Sequence, residues 1–352
     1  MKKIVMTGGG TAGHVIPNIA LFDSLKKDYK IYYIGSKTGI EKDLVEKLGI
    51  PYYGISSGKL RRYIDIKNFT DTFRVLKGFA SAFRILKKIK PDVVFSKGGF
   101  VIVPVVLAAG LLNIPIILHE SDITPGLANK ISLPFAKAVC TSFPETENHI
   151  KNKRTHLTGS PIRAALFKGD ADKGLSICGF DPQKPILLVM GGSQGAAKLN
   201  SALRESLGVL NKSYNIVHLC GKNNVDLDLK DRTGYVQFEY LDEELPHILA
   251  LADIIVSRAG ANSIFEFLAL RKPHLLIPIP RTKSRGDQIL NAESFKNQGF
   301  SKVLQEEELT SSSLVMEIID LYSQKEKYIE AMENSQLKDS VSEIVRIIKR
   351  YS

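Results

Sequence analysis

Short apolar runs of four or five residues, each followed by an amphipathic stretch, recur from the start of this chain. Lys3–Met6, Ile31–Ile34, Tyr52–Ile55, Val93–Ser96, Ile116–His119 and Ala138–Thr141 have the length and content of buried strands. Between them Val15–Lys27, Gly39–Leu48, Asn68–Lys88 and Val103–Leu112 read as helices. Such alternation predicts a doubly wound parallel sheet in the α/β class. After the polar stretch Phe167–Lys184, read as a connection, the pattern restarts with strand Ile186–Met190, helix Ala197–Leu210 and strand Ile216–Cys220. It continues through strand Ile254–Ser257, a helix from Ser263 and strand Pro273–Ile277. Two Rossmann-like domains are expected, residues 1–163 and 164–338, with a last helix near 339–352 packing back on the first.

Composition narrows this picture. At 352 residues and 44% hydrophobic, the chain can bury two cores. Cys140, Cys178 and Cys220 match no metal-ligand spacing and read as buried hydrophobes in a reducing compartment, the cytoplasm. The apolar start Ile4–Met6 is too short for the core of a signal peptide. Phe100–Leu118, the longest apolar stretch, is broken by Pro104, Gly110, Asn113 and Pro115, so it reads as helix then strand rather than a membrane span. Residues 1–163 hold 25 Lys and Arg against 12 Asp and Glu, whereas the remainder is nearly balanced at 23 against 25. The first half is therefore expected to meet an anionic partner.

Candidate chemistry sits in the strand-to-helix turns. Both halves open with a glycine turn, MTGGGTAGH and MGGSQGAAKLN, where backbone N–H groups can hold phosphate oxygens. Ligands of such sheets lie beyond the strand C-termini, so a cleft between the domains is expected. Gly8, Gly10 and Gly13 fit the dinucleotide fingerprint, but the second strand ends in Gly35-Ser36-Lys37, without the acid that a nicotinamide cofactor's ribose needs. His14, read on the loop at the mouth of the expected cleft, is suited to take a proton from an attacking sugar hydroxyl; a capping or structural histidine is the alternative. In the stretch from Ala252 to Ala292, Glu266 is read on the first turn of a helix, where it could accept ribose hydroxyls or merely complement the helix dipole. A loop carrying Asp287, Gln288 and Asn291 is expected to follow. The pairs Asp170-Ala-Asp172 and Asp226-Leu-Asp228 lie in polar connections, and no His or Cys cluster suggests zinc, so no metal site is assigned.

In order along the chain, GGGTAGHVIPNIAL, SKGGF, HESDITPGLANK, GSPIR, GGSQGA and the stretch from Ala252 to Ala292 resemble the MurG family of bacterial peptidoglycan N-acetylglucosaminyltransferases. SKGGF and HESD are similar to the form found in Gram-positive bacteria. The resemblance covers nearly the whole chain and implies a GT-B fold and inverting transfer from UDP-N-acetylglucosamine (UDP-GlcNAc). The acceptor it implies is an undecaprenyl-diphosphate-linked muramyl-peptide. It places Thr11, Ala12, Gly13, Arg163, Ser193 and Gln194 on the donor's sugar and diphosphate. Ala261, Asn262, Ser263, Ile264, Phe265 and Glu266 would hold the nucleoside, with Glu266 on the ribose, Leu241 on the uracil and Gln288 on the N-acetylglucosamine. Gly9, Gly10, Gly98 and Gly99 would meet the acceptor's diphosphate. The chain departs from the family pattern at Ala12, at Asp122, where some members have asparagine, and at Ile102, where serine is usual.

The implied mechanism needs a base, for which His14 is the candidate and Glu120 the alternative, and no cofactor or obligatory metal. Competing readings are another GT-B glycosyltransferase acting on a lipid acceptor, a nicotinamide-dependent oxidoreductase and a non-catalytic membrane scaffold. Between Gly58 and Lys90 stand ten basic residues, among them Arg61, Arg62 and Lys77, with Phe69, Phe73, Leu76 and Phe83 at helical spacing. The segment carries no nucleic-acid-binding signature, so its expected partners are anionic membrane lipids at the cytoplasmic face, bound peripherally. Proteins of cell-wall synthesis and division are further expected partners.

Overall fold

In a computed structural model, described for residues 1–58, 67–151, 154–192, 196–335, 337 and 339–352, the chain forms two compact units. Within 67–72 only the backbone is described. Unit 1 comprises Met1–Arg163 and Leu337–Ser352, and unit 2 comprises Ala164–Gln336.

Unit 1 is a seven-stranded parallel sheet built from β1 (Lys2–Thr7), β2 (Tyr29–Ser36), β3 (Tyr52–Ile55), β4 (Val93–Ser96), β5 (Ile116–Glu120), β6 (Ala138–Thr141) and β7 (Thr155–Leu157), in the order β3-β2-β1-β4-β5-β6-β7. Its helices are α1 (Ala12–Leu25), α2 (Ile40–Glu46), α3 (Lys67–Ile89), α4 (Ile102–Leu111) and α5 (Leu127–Ser132). The strands show why both faces are covered. Ile4 and Met6 of β1 join one core with Val15, Leu21 and Phe22 of α1, while Val5 points into the other with Ala82, Leu86 and Val105 of α3 and α4. A period of two with apolar residues on both sides demands helices on both sides.

Unit 2 repeats the plan with α6 (Ala171–Cys178), β8 (Ile186–Met190), α7 (Ala197–Leu210), β9 (Asn215–Leu219), β10 (Tyr235–Phe238), α8 (Leu245–Leu251), β11 (Ile254–Ser257), α9 (Ala261–Ala269), β12 (His274–Leu276), α10 (Asp287–Asn297) and β13 (Ser301–Val303). All its strands are parallel, in the order β10-β9-β8-β11-β12-β13. Helices α11 (Ser311–Ser323) and α12 (Lys325–Glu333) follow. The chain then returns to unit 1 as α13 (Ser340–Tyr351), whose Ile344, Ile347 and Ile348 are buried in the core beside α1.

Several readings of the sequence differ from the structure. The stretch Phe167–Lys184 holds α6, because Asp170 caps it by accepting from the N–H groups of Asp172 and Lys173 (3.0 and 3.2 Å) and Gly179 closes it in the left-handed region (φ 64°). Glu266 lies in the second turn of α9, which begins at Ala261 rather than Ser263. Asp287, Gln288 and Asn291 lie on α10, not on a loop. The short strands β7, β10 and β13 also went unread, for each is only three or four residues long and incompletely buried.

In both sheets the strand order reverses beside the first strand, between β1 and β4 and between β8 and β11. The loops there leave in opposite directions and open a crevice at the strand C-termini. Since α13 supplies three buried isoleucines to unit 1, Ile348→Ala is expected to destabilise that unit by ~2–5 kcal/mol. A chemical-denaturation midpoint equal to wild type would show that α13 adds nothing to the core.

Candidate functional site

The crevice of unit 1 is floored by glycine turns locked to one another. Tyr33 donates its hydroxyl to Gly8 O (2.8 Å), and the N–H of Gly9 donates to Gly98 O (3.3 Å). Gly98 and Gly99 sit at φ 116° and 86°, and a side chain at Gly99 would run into the Gly9 carbonyl, so only glycine fits there. The N–H of Gly10 donates to Glu41 Oε2 (3.2 Å), while Glu41 Oε1 accepts from Ser36 N (2.9 Å) and Ser36 Oγ (2.6 Å). Glu41 is fully buried. The amides of Gly9 and Gly10, expected at a ligand's diphosphate, are thus engaged inside the protein. The carboxylate beneath them also disfavours a dinucleotide pyrophosphate at this turn.

His14 lies half-buried in the first turn of α1, which begins at Ala12 rather than Val15, and not on the preceding loop; it is held by its ring. Its Nδ1 lies 3.1 Å from Gly9 O and 3.1 Å from Thr11 Oγ1. A carbonyl oxygen only accepts, so Nδ1 carries the hydrogen and the lone pair of the neutral ring is on Nε2. A side chain at Gly98 would stand 3.1 Å from His14 Cδ2 and 3.3 Å from Nε2, so the missing Cβ makes room for this edge of the ring. The N-cap residue Thr11 makes no side-chain cap, which leaves the start of α1 suited to an anion.

Beside this turn lies a buried charged cluster. Glu120, at the end of β5, accepts on Oε1 from the N–H groups of Ser121 (2.9 Å) and Asp122 (3.1 Å). Its Oε2 accepts from Gly126 N (3.0 Å) and Asn129 Nδ2 (2.7 Å). Burial pushes its pKa up, and the amide donors pull it back. Four N–H donors suit an ionised carboxylate serving as a brace for residues 121–126, and leave no oxygen for the base role expected as the alternative to His14. Lys97, directly after β4 and only 1% exposed, donates to His119 Nδ1 (2.7 Å) and Ser121 Oγ (2.6 Å). His119 in turn donates from Nε2 to Gly159 O (2.9 Å), which fixes its tautomer.

In unit 2 the strand ends are tied by ions. Arg258, after β11, pairs with the buried Glu306 and donates to Ile277 O (3.0 Å), and Lys283 Nζ is 2.8 Å from Glu306 Oε1. Burial would raise the Glu306 pKa, but hydrogen bonds from Lys283 and Arg258 outweigh it and hold it low. The turn so fixed leads into α9, whose N-cap Gly260 has no side-chain cap. Glu266 is half-buried on this helix, and Gln288 on α10 accepts from Ile279 N (3.2 Å). Leu241 is buried and Arg163 half-buried.

Several expected residues fall elsewhere. Ser193, Gln194, Arg61 and Arg62 lie outside the described residues, as does the side chain of Phe69. Phe73 and Leu76 are exposed on α3 (61% and 59%), with Lys77 beside them. Phe83, by contrast, packs on the core with Phe79. Asp170 and Asp226 are capping residues of α6 and of the turn at Leu227–Leu229. Glu41, Lys97, Arg258 and Glu306 were not singled out from sequence. A first-turn acid at Glu41 and a lysine ending a strand at Lys97 were the only local signs of them.

The family models for the N-terminal and C-terminal domains of glycosyltransferase family 28 match residues 4–141 and 186–349. The UDP-N-acetylglucosamine--N-acetylmuramyl-(pentapeptide) pyrophosphoryl-undecaprenol N-acetylglucosamine transferase of Lachnoclostridium phytofermentans is 57% identical over 350 residues, 99% of either chain. The protein of the same name from Clostridium tetani is 55% identical over 99% of this chain and 98% of its own. Among solved structures, Acinetobacter baumannii MurG is similar with TM-score 0.78 and 26% identity, covering 99% of this chain and all of that one. With two Rossmann-like parallel-sheet domains in the GT-B fold, the chain belongs to the MurG family of N-acetylglucosaminyltransferases within glycosyltransferase family 28.

Proposed function

We propose that this enzyme moves N-acetylglucosamine from UDP-GlcNAc to the 4-hydroxyl of the muramyl sugar on an undecaprenyl-diphosphate-linked muramyl-peptide, in peptidoglycan synthesis. Full-length identity of 57% to a transferase of that name carries the reading. The bond from the anomeric carbon to UDP breaks as the bond to O4 forms on the opposite face, through an oxocarbenium-like state. His14 Nε2 takes the hydroxyl proton, and its hydrogen bond through Nδ1 to Gly9 O supports the role by orienting the ring and stabilising the imidazolium. UDP leaves with its charge, which Arg163 and helix N-termini offset without an obligatory metal. Among the described residues no group of three His, Cys, Asp or Glu side chains could hold a metal ion.

Unit 2 takes the donor in this reading. The start of α9, from Ala261 to Phe265, holds the nucleoside, Glu266 accepts the ribose hydroxyls, Leu241 meets the uracil and Gln288 meets the sugar. Unit 1 takes the acceptor, with its diphosphate at Gly98 and Gly99, while Thr11, Ala12 and Gly13 meet the donor's sugar and phosphates. The exposed pair Phe73 and Leu76, beside Lys77, supports peripheral attachment of α3 to anionic lipid. No helix among the described residues is long and apolar enough to cross a membrane.

His14→Ala is expected to lower kcat by ~10²–10⁴-fold with the donor's KM retained, in a transfer assay with UDP-GlcNAc and a lipid-linked muramyl acceptor. A loss below about tenfold would make His14 structural. Glu266→Ala should raise the donor's KM by roughly 10–100-fold, since a ribose contact serves ground and transition states alike. Unchanged donor affinity would contradict that placement. In vesicle sedimentation, wild type should prefer anionic to neutral lipid in a salt-sensitive way, and Arg61→Glu/Arg62→Glu/Lys77→Glu should lose the preference. Equal partitioning of both proteins to both lipids would refute it.

A further inference from the structure

Lys97 is a buried cation that the reaction above does not use. Its chain joins two loops of unit 1. Its own N–H donates to Thr7 O (3.0 Å), and the next residue, Gly98, leaves room for the edge of the His14 ring. Its side chain runs to β5, where it donates to His119 and to Ser121, the two neighbours of the carboxylate brace Glu120.

The charges around it are few. His119 faces it with a bare Nδ1 and is held neutral by burial and by Lys97 itself. Glu120 and Asp122 favour the ammonium, as does Cys140 on β6, whose own thiol burial pushes up to about 12. Against them stands desolvation, which brings the lysine down to about 7. A buried ionised carboxylate with no buried counter-charge is costly, and Lys97, which hydrogen-bonds the residues on either side of Glu120, is the buried cation of this cluster.

We infer that Lys97 is a positioning residue for the transfer, its ammonium offsetting Glu120 and so holding the Ser121–Gly126 loop and the Gly98 wall of His14 in their competent arrangement. Loss of the ammonium leaves both hydrogen bonds within the reach of a neutral amine's two hydrogens but removes the counter-charge from Glu120. Glu120 is then an ionised carboxylate without a buried counter-charge, and the loop it braces gives way to relieve it. Glu120 and Lys97 therefore work as one unit although neither touches substrate. The competent form carries the ammonium, present below the folded pKa near 7 and lost above it, so activity falls on the alkaline side.

This inference rests on the transferase reading, and its test separates the two. The kcat/KM for the acceptor is measured from pH 6 to 10 in wild type, Lys97→Met, Lys97→Arg and Ser121→Ala, alongside NMR titration of lysines labelled at Cε. Wild type should show an alkaline limb that coincides with one lysine titrating near 7, a resonance missing from Lys97→Met. Ser121→Ala, a mild change that removes one acceptor of the ammonium, should move limb and resonance to lower pH by about one unit. Lys97→Arg, which cannot deprotonate, should have no such limb and should outperform Lys97→Met at every pH. A purely structural lysine would lower the active fraction without moving the limb. Failure of wild type to transfer sugar would sink the transferase reading. Transfer with the same alkaline limb in wild type, Ser121→Ala and Lys97→Arg would overturn the role of Lys97 alone.

Discussion

Parallel strands all end at one edge of their sheet, and the loops leaving that edge carry backbone N–H groups that need acceptors away from water. In unit 1 two buried carboxylates meet the need. Glu41 collects Gly10 and Ser36, and Glu120 collects Ser121, Asp122, Gly126 and Asn129. An uncompensated buried carboxylate would cost several kcal/mol, but each here is ringed by donors, and Lys97 adds a cation beside Glu120. The loops are therefore fixed before any ligand arrives. His14 inherits that order, because its ring hangs from Gly9, whose own N–H is tied to Gly98.

Unit 2 solves the same problem with the signs arranged otherwise. One acid, Glu306, draws in Arg258 from β11 and Lys283 from the loop after β12, while Arg258 also binds the carbonyl of Ile277. The outcome is a fixed turn feeding a helix start that carries no side-chain cap. A positive helix end held on a stiff support suits a diphosphate donor, whose charge grows as it leaves. The two sheets share a strand order, yet they differ in what each presents: a basic nitrogen in one, and an uncapped helix start with Glu266 one turn further on in the other.

Much of the architecture was legible because it is written in near neighbours. Alternation of Ile4, Val5 and Met6 announces a strand covered on both faces, and glycine after each half's first strand announces a turn that comes close to a ligand. His14 could be found from its place one residue after Gly13. The buried partners could not, because topology rather than spacing brings them together: Lys97 meets His119 across 22 residues, and Glu306 meets Arg258 across the whole of α9 and α10. An isolated acid such as Glu41 looks the same in sequence whether it complements a helix dipole or supports a glycine turn. Glu120 misled for a related reason, since a strand-end carboxylate beside the crevice suggests a base until its four donors are seen. At α6 the error was one of composition, for Asp170 and Gly179 are polar-stretch residues that happen to be a start and a stop.

Proton transfer to His14 depends on which of its ring nitrogens is basic. With histidine labelled with ¹⁵N, and His14→Asn used to assign its signals, the neutral ring's nitrogen shifts report the tautomer directly. The structure predicts hydrogen on Nδ1, bonded to Gly9 O, and a lone pair on Nε2. A neutral His14 carrying its hydrogen on Nε2 would contradict the account, because that nitrogen could not then receive the acceptor's proton.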